Sequence, residues 1–490
     1  MERRMHSETS ESGQLPLRRP STIHRVGSEL VRVTLYPLLQ RRWHPSASRY
    51  LRQLRKYEFA SLESIQAAQL NRLRALLQHA GRHVPYYRNL FRARAFDPSE
   101  VRSLADLGRL PVLTKADIRQ NSAALLAENY NQGRMLLNAS GGSTGKPLQF
   151  YQDSTYWDYA CASQWFVESW WGIRRGDRTA SIWGTDRDIP ALSWREKVCQ
   201  TKACNAFALT EERMERFARE LQSWYPRFVV GYASALHLFA RFLIERPYLR
   251  IRPHAVKSAA EVLTDNERAV IERAFQCPVY DFYGSREVNN LAAECPAHTG
   301  LHVNALTRFI ELVDEAGAPT EPGAAGRILV TDLVNYGMPF IRYEIEDLGR
   351  WSATPCSCGR PFPLLGKVLG RKSDFIVTSA GKFIHGEFFT HMFYGMPAVT
   401  AFQLIQESLT EICLHVVLQP GAEASLLEPL RDRLKIALGE SVHCRIDAVN
   451  EIERLPSGKH RFTVSNVTAT LQSAQTHASL NPGAELRDNG

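Results

Sequence analysis

Between residues 136 and 275 short apolar runs alternate with helical stretches, and this alternation restricts the fold more than any other feature of the chain. A run at 148–151 precedes a helical pattern at 156–170, and 179–183 precedes 211–224. In the same way 228–230 precedes 235–244, and 255–258 precedes 267–275. Parallel strands need a crossover of a dozen or more residues, and a helix fills that length. The pattern therefore predicts an α/β fold: a large multi-subdomain unit of mainly parallel sheet with helices on both faces. Further on the texture changes to shorter strands at 307–313, 327–331 and 339–343 with a turn at Glu315-Ala316-Gly317. Such strands suit an antiparallel or barrel-like subdomain completing the large domain. Past Gly370 and Arg371 a small α+β unit is expected, with strands near 375–377, 401–406, 412–418 and 443–449 and a helix at 425–438.

Upstream, Leu51, Leu54, Phe59, Leu62, Ile65, Leu70, Leu73, Leu76 and Leu77 fall at helical spacing, so helices should open the fold. The expected divisions are a disordered basic head at 1–25, a large domain at 26–370, a small mobile domain at 371–470 and a disordered polar tail at 471–490. With 490 residues and 44% hydrophobic content the chain can bury a large core. No apolar stretch approaches the ~18 to 20 residues that span a bilayer, and the basic N-terminus lacks the apolar centre of a secretory signal. No membrane span and a cytoplasmic location are the expectations. Nine cysteines in such a chain argue against a disulfide framework and leave thiols or a metal site. The formal charge of +9 is concentrated near the start, where Arg3, Arg4, Arg18, Arg19, Arg25, Arg32, Arg41, Arg42, Arg49, Arg52, Arg55 and Lys56 face few acids. A basic arm followed by amphipathic helices accounts for it better than a nucleic-acid surface does.

Ser140, Gly141, Gly142, Ser143, Thr144, Gly145, Lys146 and Pro147 form a run suited to wrapping phosphate. Glycines let backbone N–H groups turn onto an anion, hydroxyls add donors, and lysine adds a mobile charge. The run departs from the common NTPase loop, because Ser140 takes the first glycine position and Pro147 follows the lysine. A glycine-rich surface hairpin is the other reading of this segment alone.

Four further segments follow in order: Tyr283-Gly284-Ser285-Arg286-Glu287; Ile341-Arg342-Tyr343 with Glu346-Asp347-Leu348-Gly349; Gly370-Arg371-Lys372-Ser373-Asp374; and Leu455-Pro456-Ser457-Gly458-Lys459. Taken singly each is an ordinary turn, cap or exposed loop. In this order with the phosphate loop they resemble the adenylate-forming superfamily of acyl-CoA synthetases and ligases. Val84-Pro85-Tyr86-Tyr87, Leu110-Pro111-Val112-Leu113-Thr114-Lys115, Ala293-Glu294-Cys295 and Cys356-Ser357-Cys358-Gly359-Arg360 make the chain similar to the phenylacetate-CoA ligase branch and its CapK-like relatives. The resemblance covers about residues 50 to 465.

It implies a large adenylating domain and a reaction in which a carboxylic acid, with aromatic acids the favoured class, attacks ATP to give acyl-AMP and pyrophosphate. The acyl group then passes most simply to coenzyme A, or alternatively to an amine, hydroxyl or carrier protein. A zinc-stabilised basic nucleic-acid-binding protein without catalysis is the rival of another class. Under the resemblance Lys146 and the loop hydroxyls hold the β and γ phosphates, Glu287 ligates Mg2+, and Tyr283, with Gly284 and Ser285, contacts adenine and phosphate. Asp347 would accept from the ribose hydroxyls with Arg371 assisting, and Lys459 would bridge carboxylate and α-phosphate. Three positions depart from the family pattern: Arg286 stands where threonine is common, Glu346 where glycine is common, and Ser373 with Asp374 at the usual hinge. Ser285 or Arg286 would then contact the α-phosphate.

Cys295, His302, Cys356 and Cys358 read independently as three thiolates and an imidazole, the donor set of a closed structural Zn2+ site, with His298 as a spare and buried free thiols as the alternative. Residues 183–188, the Gly231-Tyr232-Ala233-Ser234 turn and the Ala259-Ala260-Glu261 turn would line the acyl pocket, with Glu261 also beside the nucleotide. Trp183 and Tyr232 there suggest an aromatic or flat acid. A second copy of the chain is the one protein partner allowed for.

Overall fold

The computed structural model describes residues 22–140, 148–184, 198–206, 208–321, 323–371, 375–378, 383–385, 389, 392–393, 396, 398–439, 442–452 and 462–467. The strands are β1 (Leu136–Ala139), β2 (Gln149–Gln152), β3 (Thr179–Ile182), β4 (Thr201–Cys204), β5 (Phe228–Tyr232), β6 (Ala255–Ala259), β7 (Val279–Ser285), β8 (Asn289–Glu294), β9 (Leu301–Val303) and β10 (Arg308–Val313). They continue with β11 (Ala325–Asp332), β12 (Tyr343–Trp351), β13 (Leu364–Arg371), β14 (Phe375–Val377), β15 (Phe383–His385), β16 (Val399–Gln406), β17 (Glu411–Leu418), β18 (His443–Ala448) and β19 (Thr463–Ser465).

One 11-stranded sheet runs in the order β10-β11-β12-β13-β9-β8-β7-β6-β5-β3-β4. From β4 to β7 every pairing is parallel, and from β7 to β10 every pairing is antiparallel. The short later strands thus continue the parallel sheet edge to edge. The parallel half carries helices on both faces, as its side-chain alternation requires. Val229, Val256 and Val279 pack with Phe217, Phe239 and Phe275 of the helices Glu211–Trp224, Ala233–Ile244 and Asp265–Phe275. Their neighbours Phe228, Ala255 and Tyr280 face the other way, onto Trp165 and Phe166 of the helix Ser154–Trp170 and Leu51 and Leu54 of Ala47–Lys56. Side-chain caps start these helices: Thr210 accepts from the Arg213 N–H, and Thr264 forms a capping box with Glu267.

The antiparallel half is closed by Leu62–His83 and Pro85–Ala93, whose Leu73, Leu76, Leu77 and Tyr87 enter its core. Tyr87 makes sense of the Val-Pro-Tyr-Tyr segment. Its buried hydroxyl donates to the Pro339 carbonyl and accepts from Ile341 N–H at 3.1 Å, spanning a break in the extended backbone before β12. That break corrects the expected strand at 339–343: β12 begins only at Tyr343, because Arg342 takes a left-handed φ of 52°.

After β13 ends at Arg371, a separate four-stranded sheet, β18-β17-β16-β19, packs on the helix Glu428–Leu438 through Leu404, Leu414, Leu430 and Leu434. The fully buried Gln406 ties β14 to it, accepting from Val377 N–H and donating back to the Val377 carbonyl. The architecture is mixed α/β with a small C-terminal sheet unit. No described helix is long and apolar enough to cross a membrane.

Candidate active site

The parallel strands β3, β5, β6 and β7 end at Ile182, Tyr232, Ala259 and Ser285. In open parallel sheets ligands bind beyond such carboxyl ends. Trp183, Tyr232, Glu261 and the Tyr283 segment are therefore brought to one edge. Trp183 and Tyr232 pack ring to ring, with centroids 4.3 Å apart. Glu261 follows Ala260 at φ 67°, and its carboxylate accepts from Ser234 N–H at 2.9 Å and from the Ser234 hydroxyl at 2.7 Å. The turns after β5 and β6 are thus fastened together.

Tyr283 donates its hydroxyl to Asp347 Oδ2 at 2.7 Å. Their strands, β7 and β12, are four places apart in the sheet, about 19 Å if it were flat. The antiparallel half must curl to close that distance, although its strands stay part of one open sheet. A second contact spans the same gap: Tyr343 donates to Glu287 Oε1 at 3.4 Å. Burial beside Glu287 pushes the Tyr343 phenol well above its ordinary range, so it stays a donor. Glycine is required at 284, where a Cβ would meet the Asn289 carbonyl oxygen at 2.6 Å. Ser285 uses its hydroxyl to accept from Val288 N–H, closing the turn and leaving Arg286 exposed next to the buried Glu287.

The residues before Asp347 explain a further segment. Glu346 has φ 71°, a backbone that costs a side-chain-bearing residue about 1 kcal/mol and suits glycine. It is held there by an ion pair with Lys115. Lys115 follows the Thr114 cap, whose capping box with Asp117 starts the helix Lys115–Gln120. Leu113 exchanges backbone hydrogen bonds with Arg342 and Glu344. Arg342 itself is structural: buried, it pairs with Glu311 at 3.0 Å and donates to the Leu110 carbonyl.

β1 and β2 form an antiparallel hairpin around the glycine-rich run. Ser140 closes its neck, donating N–H to the Leu148 carbonyl and accepting from Leu148 N–H through its hydroxyl. At the hairpin's other end the fully buried Gln152 donates to the carbonyls of Arg286 and Glu287, both at 3.1 Å. Asp153 next to it caps the helix Ser154–Trp170 and accepts from Tyr336 and Gly337 N–H. The hairpin and the Glu287 turn are thus one rigid assembly.

Cys295, His302, Cys356 and Cys358 converge, their ligand atoms all within 4.8 Å of one another. Cys295 Sγ lies 3.5 Å from Cys356 Sγ, and Cys358 Sγ lies 3.2 Å from His302 Nε2. A tetrahedral zinc with ordinary bond lengths sets these edges at about 3.5–3.8 Å, so the cluster is the right size. His302 Nδ1 faces the Phe362 carbonyl, which favours the tautomer with a free Nε2. Burial pushes the His302 imidazole down to about 4 and the Cys295 thiol up to about 12. Burial also acts upward on Cys356, but hydrogen bonds from Thr299 and Cys358 N–H outweigh it and bring that thiol below its usual range. The spare ligand His298 is engaged elsewhere, 3.1 Å from Glu294 and stacked on Tyr280. A second group, Cys413, His415 and Asp447, is filled by Arg445, which donates to both Cys413 and Asp447.

A family model described as the CapK C-terminal domain matches residues 376–466. The chain is 26% identical over 376 residues to Protein CapK of Staphylococcus aureus, covering 74% of this chain and 81% of that protein. It is 27% identical over 336 residues to the phenylacetate-coenzyme A ligase of Aromatoleum evansii, covering 66% and 74% respectively. The fold matches a crystal structure of 2-hydroxyisobutyryl-CoA ligase in the postadenylation state, with TM-score 0.66, 23% identity, and coverage of 84% of this chain and 91% of that one. The chain is similar over most of its length to proteins of the phenylacetate-CoA ligase and CapK-like branch of the adenylate-forming superfamily. Of the residues this likeness singles out, Glu261, Tyr283, Gly284, Ser285, Glu287 and Asp347 have the places given above. Arg371 ends β13 with its backbone paired to Asp347. Gly141 to Pro147, Lys372 to Asp374 and Lys459 lie outside the described residues, as does 185–188 of the expected acyl pocket. Sequence reasoning missed Gln152, Asp153 and the Lys115–Glu346 pair. Only the glycine-to-glutamate departure at 346 signalled one of them.

Proposed function

We propose that this chain activates a carboxylic acid with ATP and transfers the acyl group to coenzyme A. The observation that carries this is the joint placement of Asp347, oriented by Tyr283, and Glu287, contacted by Tyr343, beside the hairpin that brackets the phosphate loop. A carboxylate oxygen attacks the α-phosphorus, its bond to the bridging oxygen breaks, and pyrophosphate leaves. The coenzyme A sulfur then attacks the acyl carbon and AMP departs. Asp347 would accept from the ribose hydroxyls, and Tyr283 positions it. Arg286, exposed while Ser285 is occupied in its turn, would meet the α-phosphate. Glu287 fits a magnesium ligand: it is buried, and among the described residues its carboxylate takes one long hydrogen bond, from Tyr343, which leaves oxygen to spare. Bound magnesium would offset phosphate charge. The Trp183–Tyr232 pair supports an aromatic acid, and both the branch and the ligase named among its relatives make phenylacetate the first to try.

The test is acid-dependent exchange of labelled pyrophosphate into ATP over a panel of aromatic, hydroxy and aliphatic acids, followed by AMP release with coenzyme A. Exchange with one acid class is expected; absence of both exchange and ATP binding would overturn the reading. Asp347→Ala should raise KM for ATP about a hundredfold, since it removes two hydrogen bonds to a charged acceptor. Tyr283→Phe should raise it about fivefold, and adding it to Asp347→Ala should change little further, because Tyr283 acts through Asp347.

We also infer that the four-residue thiol and imidazole cluster holds a structural zinc. All four protein donors converge, which leaves no position for a catalytic water. Purified protein should contain about one zinc per chain, and the joint change Cys356→Ser and Cys358→Ser should remove it and lower Tm by at least about 5 °C. Metal analysis finding no zinc, with Tm unmoved in that variant, would leave four buried or half-buried groups without an ion.

A further inference from the structure

Residues 22–43 form one continuous rod: a helix at Thr22–Leu30, a π-helical turn at Val31–Leu35 and a helix at Tyr36–Trp43. A helix lying on its own protein ordinarily buries its apolar face and gives its polar face to water. Here several polar groups are turned to the protein. Ser28 and Gln200 exchange hydrogen bonds, the return one from Gln200 Nε2 to the Ser28 carbonyl at 3.0 Å. Glu29 pairs with Arg174 at 3.5 Å, and Arg32 lies 4.0 Å from Asp177. Tyr36 packs on Gly176, whose φ is 80° and where a Cβ would sit 3.0 Å from the tyrosine ring. The apolar side chains are left outside: Val26, Leu30, Val33 and Leu38 are 61%, 59%, 53% and 62% exposed.

Charge says what such a face is for. Residues 1–56 hold twelve arginines and lysines against four glutamates, which is +8 of the chain's formal +9. Beneath the rod, between it and the end of the helix Ser154–Trp170, lies a cleft of about 480 Å³ lined by Arg41, Arg55 and Arg175 among others. Among the described residues none of these three reaches a carboxylate. A second copy of the chain would bring +8 against +8. A nucleic acid would meet exposed aliphatic side chains. An anionic bilayer satisfies both features, taking the apolar side chains below its headgroups and setting phosphates against the arginines.

We propose that residues 22–43 dock this protein on an anionic lipid surface, with the apolar side chains inserted and the arginine-lined cleft receiving headgroup phosphate. The inference stands apart from the adenylation chemistry. Its test is co-sedimentation of the full chain with vesicles of pure phosphatidylcholine and with vesicles containing about a third phosphatidylglycerol. Binding at least about tenfold stronger to the anionic vesicles, weakened by salt, is the expected result. The joint change Leu30→Glu, Val33→Glu and Leu38→Glu should reduce it at least about tenfold with unchanged thermal melting and pyrophosphate exchange. Arg41→Glu with Arg42→Glu, which keeps the apolar face, should reduce it likewise and guards against misfolding of the first variant. Equal partition to the two vesicle types, or undiminished binding by both variants, would overturn the proposal. So would a concentration-dependent dimer that the apolar changes abolish, since the face would then be an interface between copies.

Discussion

Lys459→Ala is expected to cut pyrophosphate exchange by about a thousandfold while leaving Tm within about 2 °C of the parent value. As carboxylate and ATP approach, two anions are forced together, and charge grows on the oxygens around the α-phosphorus. A cation in place before that moment stabilises the transition state more than either separated reactant. Lys146 is assigned to the β and γ phosphates, so it cannot also neutralise the attacking carboxylate. Lys459 falls between β18 and β19. The later strand is fixed by parallel pairing with β16 and by Ser465 donating to Gln406. Removing one side chain from that connection should therefore leave the small sheet standing. The variant should still convert supplied acyl-AMP and coenzyme A to thioester, because that step has no ATP charge to balance. Loss of both half-reactions would mean that Lys459 serves the active site generally, and normal exchange would remove it from the chemistry.

The parallel half of the sheet was legible in the chain because alternation of strand and helix is a local signal, and Val229 against Phe228 shows that signal sorting side chains to opposite faces. The metal-binding candidates were legible for a different reason. Thiols and imidazoles are few, so Cys295, His302, Cys356 and Cys358 stand out before their geometry is known. What escaped was carried by common residues over long separations. Tyr283 and Asp347 were both named as nucleotide contacts, yet their bond depends on sheet curvature that no local pattern encodes. Gln152 and Asp153 look like any polar pair at a strand end, and only the fold brings them to the Glu287 turn and to Tyr336. The same holds for the rod at 22–43. Its composition reads as an amphipathic helix, but which face meets the protein is decided by Gln200, Arg174 and Asp177, far away in sequence.

Arg308→Met is expected to destabilise the fold by about 3–5 kcal/mol, the cost of leaving a buried charge without its partner. Arg308 and Asp332 stand directly opposite on β10 and β11, with their side chains only 2% exposed and 2.9 Å apart. The guanidinium also donates to the carbonyls of Val288 and Thr307 and lies over the Tyr156 ring. The carboxylate accepts from Val334 and Asn335 N–H, and Asn335 in turn donates to the Tyr151 carbonyl of β2. One ion pair therefore braces both the residue after Glu287 and the hairpin that brackets the phosphate loop. Burial already raises the Asp332 carboxyl above its ordinary range, with Arg308 opposing the shift. Without the arginine it should rise further. A carboxyl whose folded pKa is raised contributes stability at low pH that is lost as pH climbs through the folded value. The deficit of Arg308→Met should consequently be smaller at pH 5 than at pH 8. Adding Asp332→Asn, which keeps an acceptor for the two N–H groups and removes the charge, should recover much of the loss at pH 8. Denaturant unfolding of the parent, the two single variants and the double variant at the two pH values checks this; a deficit independent of pH, with no recovery in the double variant, would show that packing over Tyr156 rather than charge is what Arg308 supplies.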